Sequence, residues 1–399
     1  MSATASQQSV RRFIPTGRAR RIVVASVVAV VLLTLAILSL IGWYYAGEIE
    51  AAGFRVVHEE RALNVEVVEV GEGTITLEAE VGDSPLVDPA LWGLDAANGY
   101  GHLGEIISAD TPLEPGGQTV TRQFELIRGT VSAGDQARLD RYVFNSDPEG
   151  AHGIPFDNVV INGPLGELPA WYVDGDEDTW AILVHGRTGT RAETLRMLPP
   201  VVDAGLPALI ISYRNDEVSP LDPSGYYQYG LTEWEDLEAA ARYALDNGAE
   251  NLVLMGFSMG GSIATQFLYE SELAEEVAGV FLDSPMLDMT STLELGAEQR
   301  GVPGFITNIA KVFSTIRSGV DWAALDYLSR ADELDAPILL VHGNADAVVP
   351  VSTSDRLAEE RPDIVEYIRF VGAQHVGSWN MDQERYESEL HRFLVNLVR

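Results

Sequence analysis

The run Asn251-Leu252-Val253-Leu254-Met255-Gly256-Phe257-Ser258-Met259-Gly260-Gly261 decides how the rest of the chain is read. Leu252 to Met255 are solidly apolar, as in a strand buried on both faces, and a helical pattern follows from Gly261 to Glu270. Between them stands G-x-S-x-G, a sharp turn from strand into helix. Ser258 must occupy a tight, strained turn to present its hydroxyl, and Gly256 and Gly260 are needed where side chains would collide with strand and helix. The helix starts directly behind Ser258. Its free N–H groups and positive dipole end favour negative charge, and the N–H of Met259 is a natural oxyanion donor.

Working outward, short apolar runs recur at 158–161, 168–173, 180–184, 208–212, 279–282, 337–341 and 367–371, alternating with helical stretches at 233–246 and 383–398. Strands alternating with helices predict a mostly parallel sheet covered on both faces. A serine hydroxyl needs a base, and the base needs a carboxylate to orient it. His375 follows the last strand on a glycine-containing loop, within reach of Ser258. Asp346 lies on the loop after the 337–341 strand, at the carboxyl edge where ligands bind in such sheets, and is the expected acid; Asp283, after its own strand, is the alternative. The strand 180–184 ends in His185-Gly186-Arg187, and the N–H of Arg187 is assigned as second oxyanion donor, its side chain as a partner for a substrate carboxylate or phosphate. His185 and His342 read as structural turn residues. The other histidines show no metal-ligand spacing and there is no cysteine, so neither a metal site nor a thiolate nucleophile is expected.

The N-terminal part is organised differently. Ile22 to Ile41 is free of charge, long enough at about 20 residues to span a bilayer, with arginines before it and Trp43, Tyr44 and Tyr45 after it. The expectation is a single-pass anchor with its basic end cytoplasmic and the bulk of the chain outside; a cleaved signal peptide is the competing reading. Residues 46–155 read as a stalk or small β-rich accessory region, with a hairpin of Val65–Val70 and Ile75–Val81 around Gly71-Glu72-Gly73, then turns and loops near Trp92 to Gly104. Between the 279–282 and 337–341 strands an insertion at about 287–334 carries Phe305, Ile306, Ile309, Val312, Phe313 and Ile316 at helical spacing. It is expected either as a small helical lid over the site or as an ordinary packing helix. With 60 acidic against 26 basic residues and a formal net charge of -34, the chain repels nucleic acid.

Gly256-Phe257-Ser258-Met259-Gly260-Gly261, His185-Gly186, the Asp346 loop and the His375 loop together resemble the α/β-hydrolase superfamily over about residues 156–399, most similar to its Bem46-like and dienelactone-hydrolase-like branches and to membrane-anchored actinobacterial members. The resemblance implies an eight-stranded mostly parallel sheet, a Ser258–Asp346–His375 triad and acyl transfer to water without a cofactor. The expected organisation is therefore a basic tail at 1–21, a transmembrane helix at 22–45, an accessory region at 46–155 and a catalytic domain at 156–399. Its expected substrate is a small or lipid-like carboxylic ester or thioester. A peptidase or acyltransferase on the same triad, and a non-catalytic binding module, stay open.

Overall fold

Two sheets organise the protein, and the boundary between them falls where the sequence changes from alternating to solidly apolar strands. The computed structural model describes residues 17–58, 62–80, 85–110 and 117–398; most of the basic tail, with Arg11 and Arg12, and Val81 of the expected hairpin lie outside the described residues. The first sheet is a closed antiparallel barrel of β1 (Val65–Val70), β2 (Thr74–Glu80), β3 (Trp92–Ala96), β4 (Gly99–Asp110), β5 (Gly117–Gly129) and β6 (Gln136–Asp140), in the order β1-β2-β5-β4-β3-β6. Ile75, Leu77 and Ala79 alternate into its interior beside Val65, Val67, Leu94 and Leu103. The buried Arg122 guanidinium donates to the carbonyls of Asp88, Ala90 and Gly104, and burial lowers its pKa to about 10.

The stretch Trp92 to Gly104 forms β3 and the first half of β4, not turns and loops. Two of its glycines make room for large rings, Gly101 inside the barrel and Gly93 on its outer face. A Cβ on Gly93 would lie 2.0 Å from Tyr100 Oη, and one on Gly101 2.3 Å from the Phe124 ring.

The second sheet has eight strands in the order β14-β13-β12-β11-β9-β10-β8-β7: β7 (Asp157–Gly163), β8 (Gly166–Val173), β9 (Thr179–Val184), β10 (Ala208–Ile211), β11 (Asn251–Phe257), β12 (Val277–Asp283), β13 (Ile338–Gly343) and β14 (Val365–Phe370). From β10 through β9, β11, β12, β13 to β14 every pairing is parallel; β8 and β7 add an antiparallel edge. Helices numbered along the chain are α1 (Gly17–Ile49), α2 (Pro148–His152), α3 (Leu198–Asp203), α4 (Trp234–Asp246), α5 (Met259–Glu270), α6 (Met289–Gln299), α7 (Gly304–Ser318), α8 (Val351–Glu360), α9 (Ser378–Met381) and α10 (Gln383–Leu397). One face of the sheet is sealed by α4 and α5 through Leu237, Ile263 and Phe267, the other by α3 and α10 through Val201, Leu390 and Leu394. This is the α/β-hydrolase architecture.

Helix α1 is long and apolar enough to cross a membrane, and its outer flank from Ile22 to Leu40 is exposed. It does not stop at residue 45. It runs to Ile49 and through a π-helical turn, Glu50–Phe54, into the body of the hydrolase. Phe54 meets Tyr229 and Trp322 edge-on, and Glu50 pairs with Arg317 while accepting from Tyr226 and Ser318. The 46–155 segment thus starts as helix packed on the hydrolase, and the expected β-rich accessory region begins at β1. The insertion supplies α6 and α7, and Ile309 and Phe313 of α7 lie against Gly42 of α1. Helix α7 packs on α1 and takes the second of the two expected forms, a packing helix.

Candidate active site

Four loops at the carboxyl edge of the parallel strands meet here. β11 runs into α5 through Ser258, whose backbone sits at φ 49° and ψ -113°, a conformation that L residues adopt at a cost. The turn closes only around glycine: a Cβ on Gly256 would lie 2.4 Å from the backbone of Gly260, and one on Gly260 2.3 Å from the carbonyl of Val184. The N–H of Ser258 is held by the carbonyl of Asp283 at 2.9 Å.

His375, on the loop after β14, places Nε2 2.9 Å from Ser258 Oγ and Nδ1 2.7 Å from Asp346 Oδ2. The arrangement needs the tautomer that donates from Nδ1 and accepts the serine proton at Nε2. Asp346 follows β13. Its Oδ1 accepts from the N–H groups of Val348 and Val349 at 2.7 and 2.9 Å, and its Oδ2 also faces His342 Nε2 at 3.0 Å. Burial works against the charge of Asp346, but the hydrogen bonds from His342 and His375 outweigh it and hold the carboxyl well below the usual carboxylate range. Asp283, the alternative acid, is fully buried beside Ser284 and Tyr386 instead, and burial pushes it up to about 6.

His342 was read as a turn residue, and it has a larger part than that. Its Nδ1 meets Ser354 Oγ at 2.7 Å, so a proton on Nε2 points at Asp346. His185 does serve the turn: it is stacked on Tyr213, with its ring nitrogens on Asp216 and the carbonyl of Gly186. Beside it, the buried Glu193 accepts the N–H of Gly186 at 2.6 Å. That leaves the next N–H, of Arg187, with no acceptor among the described residues. Met259, first residue of α5, has no intrahelical acceptor for its own N–H. The Arg187 guanidinium lies toward the Tyr227 ring, 6.0 Å from its centroid.

Ser258, His375, Arg187 and Glu193 open into a cavity of about 420 Å³. Its other wall is the barrel, which contributes Trp92, Leu139 and Arg141, with Tyr142 just beyond it; no lining residue comes from the 287–334 insertion. A larger cavity of about 470 Å³ lies alongside, sharing Tyr142 and Thr188, but it does not reach Ser258. The barrel also grips the loop that carries the base. Arg141 donates to the carbonyl of His375 at 3.0 Å, Gln374 donates to Asp88 at 2.8 Å, and Asn380 donates to the carbonyls of Leu91 and Arg141. From below, the buried Arg196 donates to Val376 and Asn380. Nothing in the local sequence marks Glu193, Arg196 or Asn380 for these contacts, because their partners are far away in the chain.

Known proteins share this fold. Among solved structures, the esterase Pf2001 of Pyrococcus furiosus is similar at 22% identity and a TM-score of 0.52, across 64% of this chain and 96% of that one; a second crystal form gives 23% and 0.51. At that identity the likeness shows the fold. The uncharacterised protein YqkD of Bacillus subtilis is 25% identical over 228 residues, which is 56% of this chain and 73% of that protein. The model of a family described as the alpha/beta hydrolase family matches residues 181–389, a span that takes in Arg187, Ser258, Asp346 and His375, and the chain belongs to that family.

Proposed function

We propose that this chain is a membrane-anchored serine hydrolase that cleaves a carboxylic ester or thioester through an acyl-enzyme on Ser258. One observation carries the reading: the imidazole of His375 bridges Ser258 Oγ and Asp346 Oδ2 at 2.9 and 2.7 Å. As Oγ bonds to the substrate carbonyl carbon, His375 Nε2 takes the serine proton and Asp346 stabilises the imidazolium. The N–H groups of Met259 and Arg187 receive the charge that develops on the carbonyl oxygen. Collapse breaks the bond to the alcohol or thiol, which leaves with the proton from His375. Water, deprotonated by the same nitrogen, then attacks the acyl-enzyme and frees the acid and Ser258.

With α7 lying on α1 and not on the cavity, a lid no longer argues for a lipid-like substrate, and only the membrane anchor does. A cavity of about 420 Å³ walled by the barrel favours a small ester. The test is labelling of the full chain by a fluorophosphonate probe, with Ser258→Ala as control. Labelling that is lost in the variant is expected; a folded wild-type chain that resists the probe sinks the proposal. Hydrolysis of p-nitrophenyl esters of increasing acyl length then reports the substrate size.

The anchor reading rests on α1, with arginines at its start and Trp43 and Tyr44 near the end of its apolar stretch. Retention of the helix is favoured over cleavage because the end of its apolar stretch, at Gly42 and Trp43, packs on α7. Protease added to intact cells should digest the catalytic domain; protection there reverses the orientation.

A further inference from the structure

Helix α7 is amphipathic in the sense opposite to that of a helix packed on a soluble domain. The side it turns to the protein carries small residues, Thr307, Ala310 and Ser314, all buried, and Thr307 Oγ1 has no hydrogen-bond partner among the described residues. The side it turns outward carries Phe305, Val312 and Ile316, exposed at 60%, 59% and 69%. Large apolar side chains outside and small polar ones inside are what a helix bathed in hydrocarbon presents.

The neighbour of α7 says which surroundings those are. Gly42 of α1 allows a close crossing, for a Cβ there would lie 2.5 Å from both Ile309 and Phe313. Trp43 meets the Phe313 ring edge-on at 6.4 Å, and the Arg317 guanidinium lies over the Trp43 ring and near Gly47. These contacts ascend both helices in the same direction. Phe305, two turns before Phe313 and so about 12 Å further back along the helix, therefore lies alongside the uncharged stretch that ends at Ile41. At the same level α1 is itself exposed and apolar, with Ile37 and Leu40 on its side away from α7. Charge agrees: in a chain of 60 acidic residues, none falls between Arg300 and Asp321.

We propose that α7 is a second membrane element, its Phe305–Val312–Ile316 face immersed among the acyl chains of the leaflet through which α1 leaves the bilayer. The inference rests on the reading of α1 as a membrane span. The hydrolase is then held by two helices that share one interface, which fixes its tilt on the membrane surface instead of leaving it to swing on a tether.

The chain has no cysteine, so single probes can be placed without background. Phe305→Cys, Val312→Cys and Ile316→Cys are each labelled with an environment-sensitive fluorophore in the full chain, reconstituted in phosphatidylcholine nanodiscs with and without an acyl-chain nitroxide. Leu32→Cys on α1 and Glu359→Cys on α8 serve as references. The expected result is blue-shifted emission at all three α7 positions and loss of about half their fluorescence to the nitroxide, as suits a helix roughly 5–10 Å below the headgroups, with Leu32→Cys quenched and Glu359→Cys unaffected. Quenching at Leu32→Cys with water-like emission on α7 overturns the proposal and leaves the span standing. Blue-shifted but unquenched α7 probes mean that a second copy of the chain or another protein covers the face, which also overturns it. Absence of quenching at Leu32→Cys defeats the span and the proposal together.

Discussion

Asp346 has four hydrogen-bond donors around two oxygens, and only one of them, His375, takes part in the proton transfer proposed for Ser258. Removing His342 leaves a fully buried carboxylate short of a donor. A lost hydrogen bond to a charged group costs about 1.5–3 kcal/mol, and if that cost falls on holding His375 in line, kcat drops roughly 10- to 100-fold. His342→Ala is therefore expected to lower kcat at nearly unchanged KM, with partial recovery in His342→Gln, whose amide can still donate; an equal loss in both variants, or a change confined to KM, contradicts a positioning role. Ser258, Asp346 and His375 were legible because each follows its own apolar strand. His342 follows one too, but its partner lies back across its own loop, and sequence gives no measure of that distance. Asp283 makes a separate prediction. Its folded-state pKa is raised from 3.8 to about 6 by burial, so the folded protein holds this proton more tightly than the unfolded chain does. That contribution is full below the unfolded value and is lost as pH rises through the folded one. Between about pH 4 and 7, the thermal midpoint of the wild type should fall relative to that of Asp283→Asn; a constant difference refutes it.

The eight strands of the hydrolase sheet and helices α4, α5 and α10 were read to within about two residues, since each is a short apolar run or a clear 3.6 period, whereas the shorter α3, α8 and α9 were not read at all. Two further regions were not fully legible. β3 and the start of β4 contain Gly93, Gly99, Gly101 and Gly104, and glycines spaced so closely read as turns; in the strands Gly93 makes room for Tyr100 and Gly101 for Phe124. For α7 the periodicity was right and the choice between lid and packing helix stayed open, because an apolar stripe does not say which apolar surface covers it. The contact between barrel and hydrolase was out of reach for the same reason. It is concentrated at Asn380, whose side chain donates to Leu91 and Arg141 in the barrel segment and accepts from Arg196 beneath. Asn380→Ala removes all three bonds and leaves part of a buried guanidinium unpaired. The expected loss is about 1–3 kcal/mol of stability, read by thermal unfolding, together with a lower kcat, since the His375 loop loses its tie to the barrel. Unchanged kcat in the destabilised variant would mean that the barrel walls the cavity without positioning the base.

Across the whole molecule, 60 acidic residues stand against 26 basic ones, and the basic tail holds several of the latter, so the folded part is more acidic than the total of -34 indicates. Its ion pairs fall into two groups. Arg214 is buried with Asp236 at 2.8 Å and Asp222 at 3.5 Å, where salt screens little; pairs such as Arg330–Glu333 and Arg356–Glu360 are exposed and contribute little. The remaining carboxylates repel one another across the surface, and that repulsion is weaker in the expanded unfolded chain. Raising ionic strength shortens the Debye length from about 30 Å at 0.01 M to about 8 Å at 0.15 M, which removes long-range repulsion before it touches the close pairs. The thermal midpoint of the full chain in nanodiscs of zwitterionic lipid should therefore rise over this range of sodium chloride, with most of the gain at its low end. A midpoint that falls instead would show that exposed ion pairs, not excess negative charge, dominate the electrostatics of the folded state.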